Sequence, residues 1–129
     1  MTKTNFEKVR EFHEAFAPHL IAPSLSLPVS DVIDLRYELI REEVVDELKV
    51  ALENQDFIEI ADALGDILYV VYGAALTFGI DIDTVFAEIH RSNMTKLGLD
   101  GKPIYREDGK VLKGPNYEPP NIAKILGLS

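Results

Sequence analysis

Apolar residues recur with helical spacing along most of this chain. Phe6, Val9, Phe12 and Phe16 fall on one face of a helix. The segment that opens it, Thr4-Asn5-Phe6-Glu7, has the form of a capping box. Pro18, Pro23 and Pro28 then mark an irregular loop. Ser30 or Asp31 can cap a second helix that runs to about Glu53. Asn54-Gln55-Asp56 is a polar break, and a third helix starts near Asp56 and reaches Phe78. Gly79 stands where a left-handed C-terminal residue is favoured. Asp81 or Asp83 caps a fourth helix, which ends near Gly98. Beyond it lie turn signals, with Asp108-Gly109 between Ile104-Tyr105 and Val111-Leu112 predicting a small hairpin. Pro119-Pro120 leads into a short helix from about Asn121 to Leu126. The expectation is an all-α, four-to-five-helix bundle with a short irregular or hairpin-containing C-terminal tail, one domain over 1–129.

Two helices break their own pattern. In the second, Val32, Leu35 and Leu39 form an inward stripe, and α-helical steps extend it through Glu43, Asp46 and Val50. Glu42 flanks that face. In the third, Glu59, Asp62, Asp66, Tyr69, Gly73 and Leu76 form one row, acidic at its start and apolar at its end. Facing helices would thus bring two i, i+3 carboxylate pairs together. Unpaired carboxylates removed from water are costly, so such a cluster needs cations, or else its members lie on a solvated face. Oxygen-only donors select Mg²⁺ or Mn²⁺. A di-iron bundle would need Glu-x-x-His, and neither His13, His19 nor His90 follows a Glu at that spacing.

Composition narrows the choices. The chain has 129 residues, 47% of them hydrophobic, and no cysteine. The missing cysteine excludes thiolate catalysis, zinc-thiolate sites and iron-sulfur clusters. The net charge of -9 disfavours nucleic-acid polymers and anionic membranes as partners. Met1 to Glu7 has no secretory h-region. The apolar stretch from Ile67 to Ile80 is too short to span a bilayer. A cytoplasmic protein is expected. The charge is also unevenly spread. Residues 1–90 hold 18 acids and 6 bases, and residues 91–129 hold 4 acids and 7 bases. An acidic, cation-holding part and a basic, anion-holding part are one reading of that asymmetry.

Glu42-Glu43-x-x-Asp46 followed by Glu59-x-x-Asp62 resembles the paired acidic motifs of the all-α nucleoside triphosphate pyrophosphohydrolases. That superfamily includes MazG-like proteins, dimeric dUTPases and phosphoribosyl-ATP pyrophosphohydrolase. Ala61-Asp62-Ala63-Leu64-Gly65-Asp66-Ile67 is in the same style. His90 to Lys96, Asp108 to Val111 and Lys113-Gly114-Pro115 resemble one MazG-like branch. The resemblance implies a MazG-like bundle and cleavage between the α- and β-phosphates of a (deoxy)nucleoside triphosphate, giving a monophosphate and pyrophosphate. It implies Mg²⁺, with Mn²⁺ as a substitute, held by Glu43, Asp46, Glu59 and Asp62. Glu42 would be an extra carboxylate, positioning the attacking water or a further metal. Asp46 stands where Glu is usual, and Glu47 is the substitute ligand next to it; Asp66 is a further candidate.

Phosphates need cations as well. Lys96 and Lys113 match the family's basic positions best, with Arg91, Lys110 and Asn93 as further phosphate contacts. The resemblance also implies a homodimer or tetramer. Three functions stay open at this point: nucleotide-pool cleaning by triphosphate hydrolysis, phosphoribosyl-ATP hydrolysis, and a non-catalytic acidic module that binds a basic partner.

Overall fold

A computed structural model describes residues 2–128. The chain is mostly helical and ends in a short hairpin and a single helical turn. It divides into two compact units, one ending at Ile80 and the other starting at Asp81.

The first unit opens with α1, Asn5–Phe16. Its capping box is formed in both directions. Thr4 N–H donates to Glu7 Oε1 at 2.9 Å, and Glu7 N–H donates to Thr4 Oγ1 at 3.1 Å. After a 3-10 turn at Pro18–Leu20 comes α2, Ser30–Arg41. Its N-cap is Val29, with no side-chain cap, so neither Ser30 nor Asp31 caps as expected. Ser30 already lies inside the helix, because Val32 and Ile33 N–H both donate to the Val29 carbonyl. The helix continues without a break through a π segment, Glu42–Leu48, and α3, Lys49–Glu53. The expected end at Glu53 is observed.

Asp56 caps α4, Phe57–Phe78, accepting from Ile58 and Glu59 N–H. This helix returns along its predecessor and packs on α3, the π segment and α2, while α1 packs on it too. Gly79 ends it at φ 70°, and a Cβ there would stand 2.1 Å from the Ser24 carbonyl oxygen, so only glycine fits. The proline-rich loop closes the same end: Ala22 N–H donates to the Leu76 carbonyl and Ser26 N–H to the Phe78 carbonyl, both at 3.0 Å. The loop thus gives the Phe78 carbonyl a donor and the Leu76 carbonyl, which also accepts from Gly79 N–H, a second one. By length and hydropathy α4 could cross a membrane. Glu59, Asp62 and Asp66 in its first half make that costly.

A polar network locks the three helices together. Arg36 is 5% exposed and donates from Nε to Thr77 Oγ1 and from a terminal nitrogen to His13 Nε2, both at 3.0 Å. His13 Nε2 must therefore accept, so its Nδ1–H donates to the Val9 carbonyl at 3.0 Å. Thr77 donates onward to the Gly73 carbonyl. Nearby, Phe12 packs edge-on against Tyr69, and Phe6 lies 5.9 Å from Tyr72. The two tyrosines thus belong to the packing of α1 on α4.

In the second unit, Asp81 caps α5, Ile82–Met94. Strands β1, Ile104–Tyr105, and β2, Val111–Leu112, pair antiparallel with Ile104 opposite Leu112. Gly109 turns between them at φ 88°. Asn121 caps α6, Ile122–Ile125, which packs on α5. The hairpin and the short helix fall where the turn signals place them.

Candidate active site

The acidic positions sit on two adjoining rods of the first unit. Glu43 leaves the π segment and Asp62 and Asp66 leave α4, and these two segments pack together. Glu43 is half-buried, whereas Glu42, Asp46, Glu47, Glu59, Asp62 and Asp66 are exposed. Burial raises the Glu43 carboxyl above its ordinary value, and the charges of Asp66, Glu47, Asp62 and Glu42 push it further the same way. Two acids from α4 and two from the π segment act on Glu43, and no cation opposes them.

The inward stripe expected on the second helix is partly wrong. Leu35, Asp46 and Val50 are exposed. Val32, Leu39 and Glu43 are half-buried, as expected of the stripe, and one line of covered positions runs through Arg36, Ile40, Glu43, Leu48 and Ala51. Their steps are four, three, five and three residues, and the step of five falls on the π segment. There, Lys49 N–H donates to the Val44 carbonyl, a bond spanning five residues instead of four. Continuing the stripe with α-helical spacing therefore misplaces every position after Glu43.

Asp46 is held elsewhere. Its Oδ2 accepts from Arg41 at 3.2 Å, and the same guanidinium grips Glu38 at 2.6 Å. Arg36, which lies near the acids in sequence, turns away into the core network. Glu59 occupies the first turn of α4, outside the set of charges acting on Glu43. Among the described residues, no three Asp, Glu or His side chains are drawn together as a preformed cage. The donor chemistry nonetheless fits a hard divalent cation: carboxylate oxygens only, mutually repelling, with Glu43 uncompensated.

A sequence profile of the family "Phosphoribosyl-ATP pyrophosphohydrolase" matches residues 9–93. The chain belongs to this MazG-like family of all-α NTP pyrophosphohydrolases. The family match contains every acidic candidate and ends before Lys96, Lys110 and Lys113. The uncharacterized protein L479 of Acanthamoeba polyphaga mimivirus is 35% identical over 114 residues, which is 85% of this chain. The chain spans 42% of that relative's length. A solved structure titled as a candidate NTP pyrophosphohydrolase from Exiguobacterium sp. 255-15 has a TM-score of 0.50 at 24% identity, covering 95% of this chain and 92% of its own. That likeness supports the MazG-like fold.

The basic candidates lie in the second unit, and their surroundings differ. Arg91 is committed to Glu88 at 2.8 Å and to Glu118 at 2.8 Å. Glu88 also accepts from Asn121 N–H at 2.7 Å, and these bonds pull its carboxyl down to about 2. Arg91 thereby ties α5 to the C-terminal turn. Lys113 lies over the Tyr117 ring, 4.8 Å from its centroid. Asn93 and Lys110 are exposed, and Lys96 is half-buried with its carbonyl accepting from Gly114 N–H. Ser92, inside the His90 to Lys96 segment, is buried and donates to the Glu118 carbonyl at 2.7 Å.

Proposed function

We propose that this chain is a Mg²⁺-dependent nucleotide pyrophosphohydrolase that cleaves a (deoxy)nucleoside triphosphate between the α- and β-phosphates. The observation that carries the reading is Glu43, half-buried between two packed helical rods, its carboxyl raised by burial and by the charges of Asp66, Glu47, Asp62 and Glu42. Glu43, Glu59 and Asp62 would hold the ion together with a second carboxylate of the π segment. Bound Mg²⁺ would supply charge neutralisation for the polyphosphate and acidify a ligated water. Glu42 adjoins Glu43 and is exposed, so it can accept the proton of an attacking water and orient it. Among the basic residues of the second unit, Lys96 and Lys113 are the candidates for phosphate contacts, since Arg91 is already engaged by two glutamates.

The test is a nucleotide panel with Mg²⁺ or Mn²⁺, both products being identified. Release of pyrophosphate and monophosphate is expected, with loss of at least about 100-fold in Glu43→Gln and Asp62→Asn. No turnover of any nucleotide would sink the reading and leave the acidic binding module. The family match favours one further substrate, phosphoribosyl-ATP, and including it in the panel separates the two reactions.

We further propose a cytoplasmic homodimer. Phe57 and Ile58 are 87% and 80% exposed, and Leu64 and Leu68 on the same helix are half open, which is more apolar surface than a lone soluble chain ordinarily leaves bare. The face comprising Leu68, Val71, Ala75 and Phe78 divides accordingly: Ala75 is core and Leu68 is open.

A further inference from the structure

We propose that Glu47, and not Asp46, is the carboxylate that joins Glu43 in the metal site, because the π segment turns Glu47 onto the Glu43 face and Asp46 off it. The inference rests on the metal-site reading above and concerns which residue of this chain completes it.

An α-helix advances about 100° per residue, which puts i+3 and i+4 about equally close to residue i. A π turn takes up roughly 4.4 residues, so each residue advances only about 80°. Within it, i+4 stays near the face of residue i, while i+3 rotates roughly a third of a turn away. Glu43 and Glu47 are i and i+4 inside Glu42–Leu48, and Asp46 is i+3. The Lys49 N–H bond to the Val44 carbonyl shows the wide turn at this point.

Two further observations agree. Leu48, five residues from Glu43, is the next covered position, so the whole face has slipped by one residue across the segment. Asp46, off that face, has found Arg41 on the neighbouring turn, which is itself bidentate to Glu38. A metal taking Asp46 would compete with Arg41 for its carboxylate, whereas Glu47 has no ion pair or side-chain hydrogen bond among the described residues. The wide turn is thus a positioning device. It spaces the i, i+4 acids as a regular helix would space i, i+3, and it gives the site the longer arm of a glutamate.

Direct Mn²⁺ binding to the full chain tests this without turnover, using the loss of the free-ion electron paramagnetic resonance signal. Glu43→Gln, Asp46→Asn and Glu47→Gln are compared with wild type, with circular dichroism confirming the fold. The expected result is at least 10-fold weaker binding in Glu43→Gln and Glu47→Gln, and less than 3-fold change in Asp46→Asn. Deleting Val45 removes the extra residue and leaves Glu47 three residues after Glu43 in a regular helix; binding within 3-fold of wild type is expected. Weakening in Asp46→Asn equal to or above that in Glu47→Gln overturns the assignment while leaving the metal site intact. If Glu43→Gln binds as wild type, or wild type binds no Mn²⁺, the metal-site reading falls and takes the assignment with it.

Discussion

Glu43 is where stability and function pull apart. Its carboxyl is raised first by burial and then by four like charges, with nothing positive to oppose them. A raised folded value means the folded chain holds this proton longer than the unfolded one. The stability it contributes is complete below the ordinary glutamate range and is lost as pH rises through the raised value. Ionised Glu43 therefore weakens the metal-free chain at neutral pH. Glu43→Gln removes the charge and keeps the shape. Its melting temperature without metal should exceed that of wild type at pH 7, and the gap should close on acidification. If Glu43 belongs to the proposed metal site, adding Mg²⁺ should raise the melting temperature of wild type and not that of this variant. Calorimetry at pH 4.5 and 7, with and without Mg²⁺, reads all three effects; a metal-free Glu43→Gln less stable than wild type at pH 7 contradicts this account. Such a residue is destabilising where it stands, which is common at functional sites.

At the level of the helices, α1, α2 and α4 are joined by a polar contact that an amphipathic pattern does not predict. His13 is kept neutral chiefly by burial, with the Arg36 charge acting in the same direction and the Val9 carbonyl opposing. Its folded value lies below the ordinary one, so the unfolded chain takes up the proton first as pH falls. Stability should drop from about pH 6.5 downward. His13→Gln should flatten that slope in denaturant titrations across pH 5 to 8. A slope unchanged in the variant would assign it to other groups. The two glycines inside α4 make a second test. A Cβ at Gly65 meets nothing within 4 Å, whereas at Gly73 it meets Arg36 and His13 at 3.0 and 3.1 Å. Alanine in a helix interior gains about 1 kcal/mol over glycine. Gly65→Ala should realise that gain, and Gly73→Ala should forfeit it and lose about 1–3 kcal/mol to strain in a network whose members cannot yield. Urea melts of both variants decide it; equal effects would mean that Arg36 and His13 are free to move.

Across the whole molecule, charge and apolar surface are both distributed as if for company. The acids concentrate between Asp31 and Asp66, where 12 stand against 3 bases. Phe57 and Ile58 project from the first turn of α4. Residues 91–129 hold 7 bases against 4 acids, and the second unit closes on itself through Glu88, Arg91 and Glu118. Ile58→Glu puts a charge into the exposed apolar patch without touching a buried residue. Sedimentation should show wild type as a dimer at micromolar concentration and the variant shifted toward monomer. A wild-type monomer under those conditions would refute the dimer.

Most of the elements are legible in the residues themselves. Thr4 with Glu7, Asp56, Gly79, Asp81, Asp108-Gly109 and Asn121 each act within a few positions of themselves, through capping bonds or left-handed backbone, so local chemistry suffices to find them. The acidic motifs were legible for the same reason, as residue types that a helix stripe does not ordinarily contain. Three things came only from packing. Arg36 and His13 found each other across 23 residues of chain, and no local signal joins them. Val29 replaced Ser30 as the cap of α2. The π turn changed the angular step beneath Glu43, Asp46 and Glu47. Periodicity read from sequence assumes one fixed step per residue, and a single wide turn shifts the phase of everything after it. The sequence by itself determined that carboxylates would meet on two helices; which carboxylates face one another was decided by the tertiary structure, because it sets the helical pitch at the point of contact.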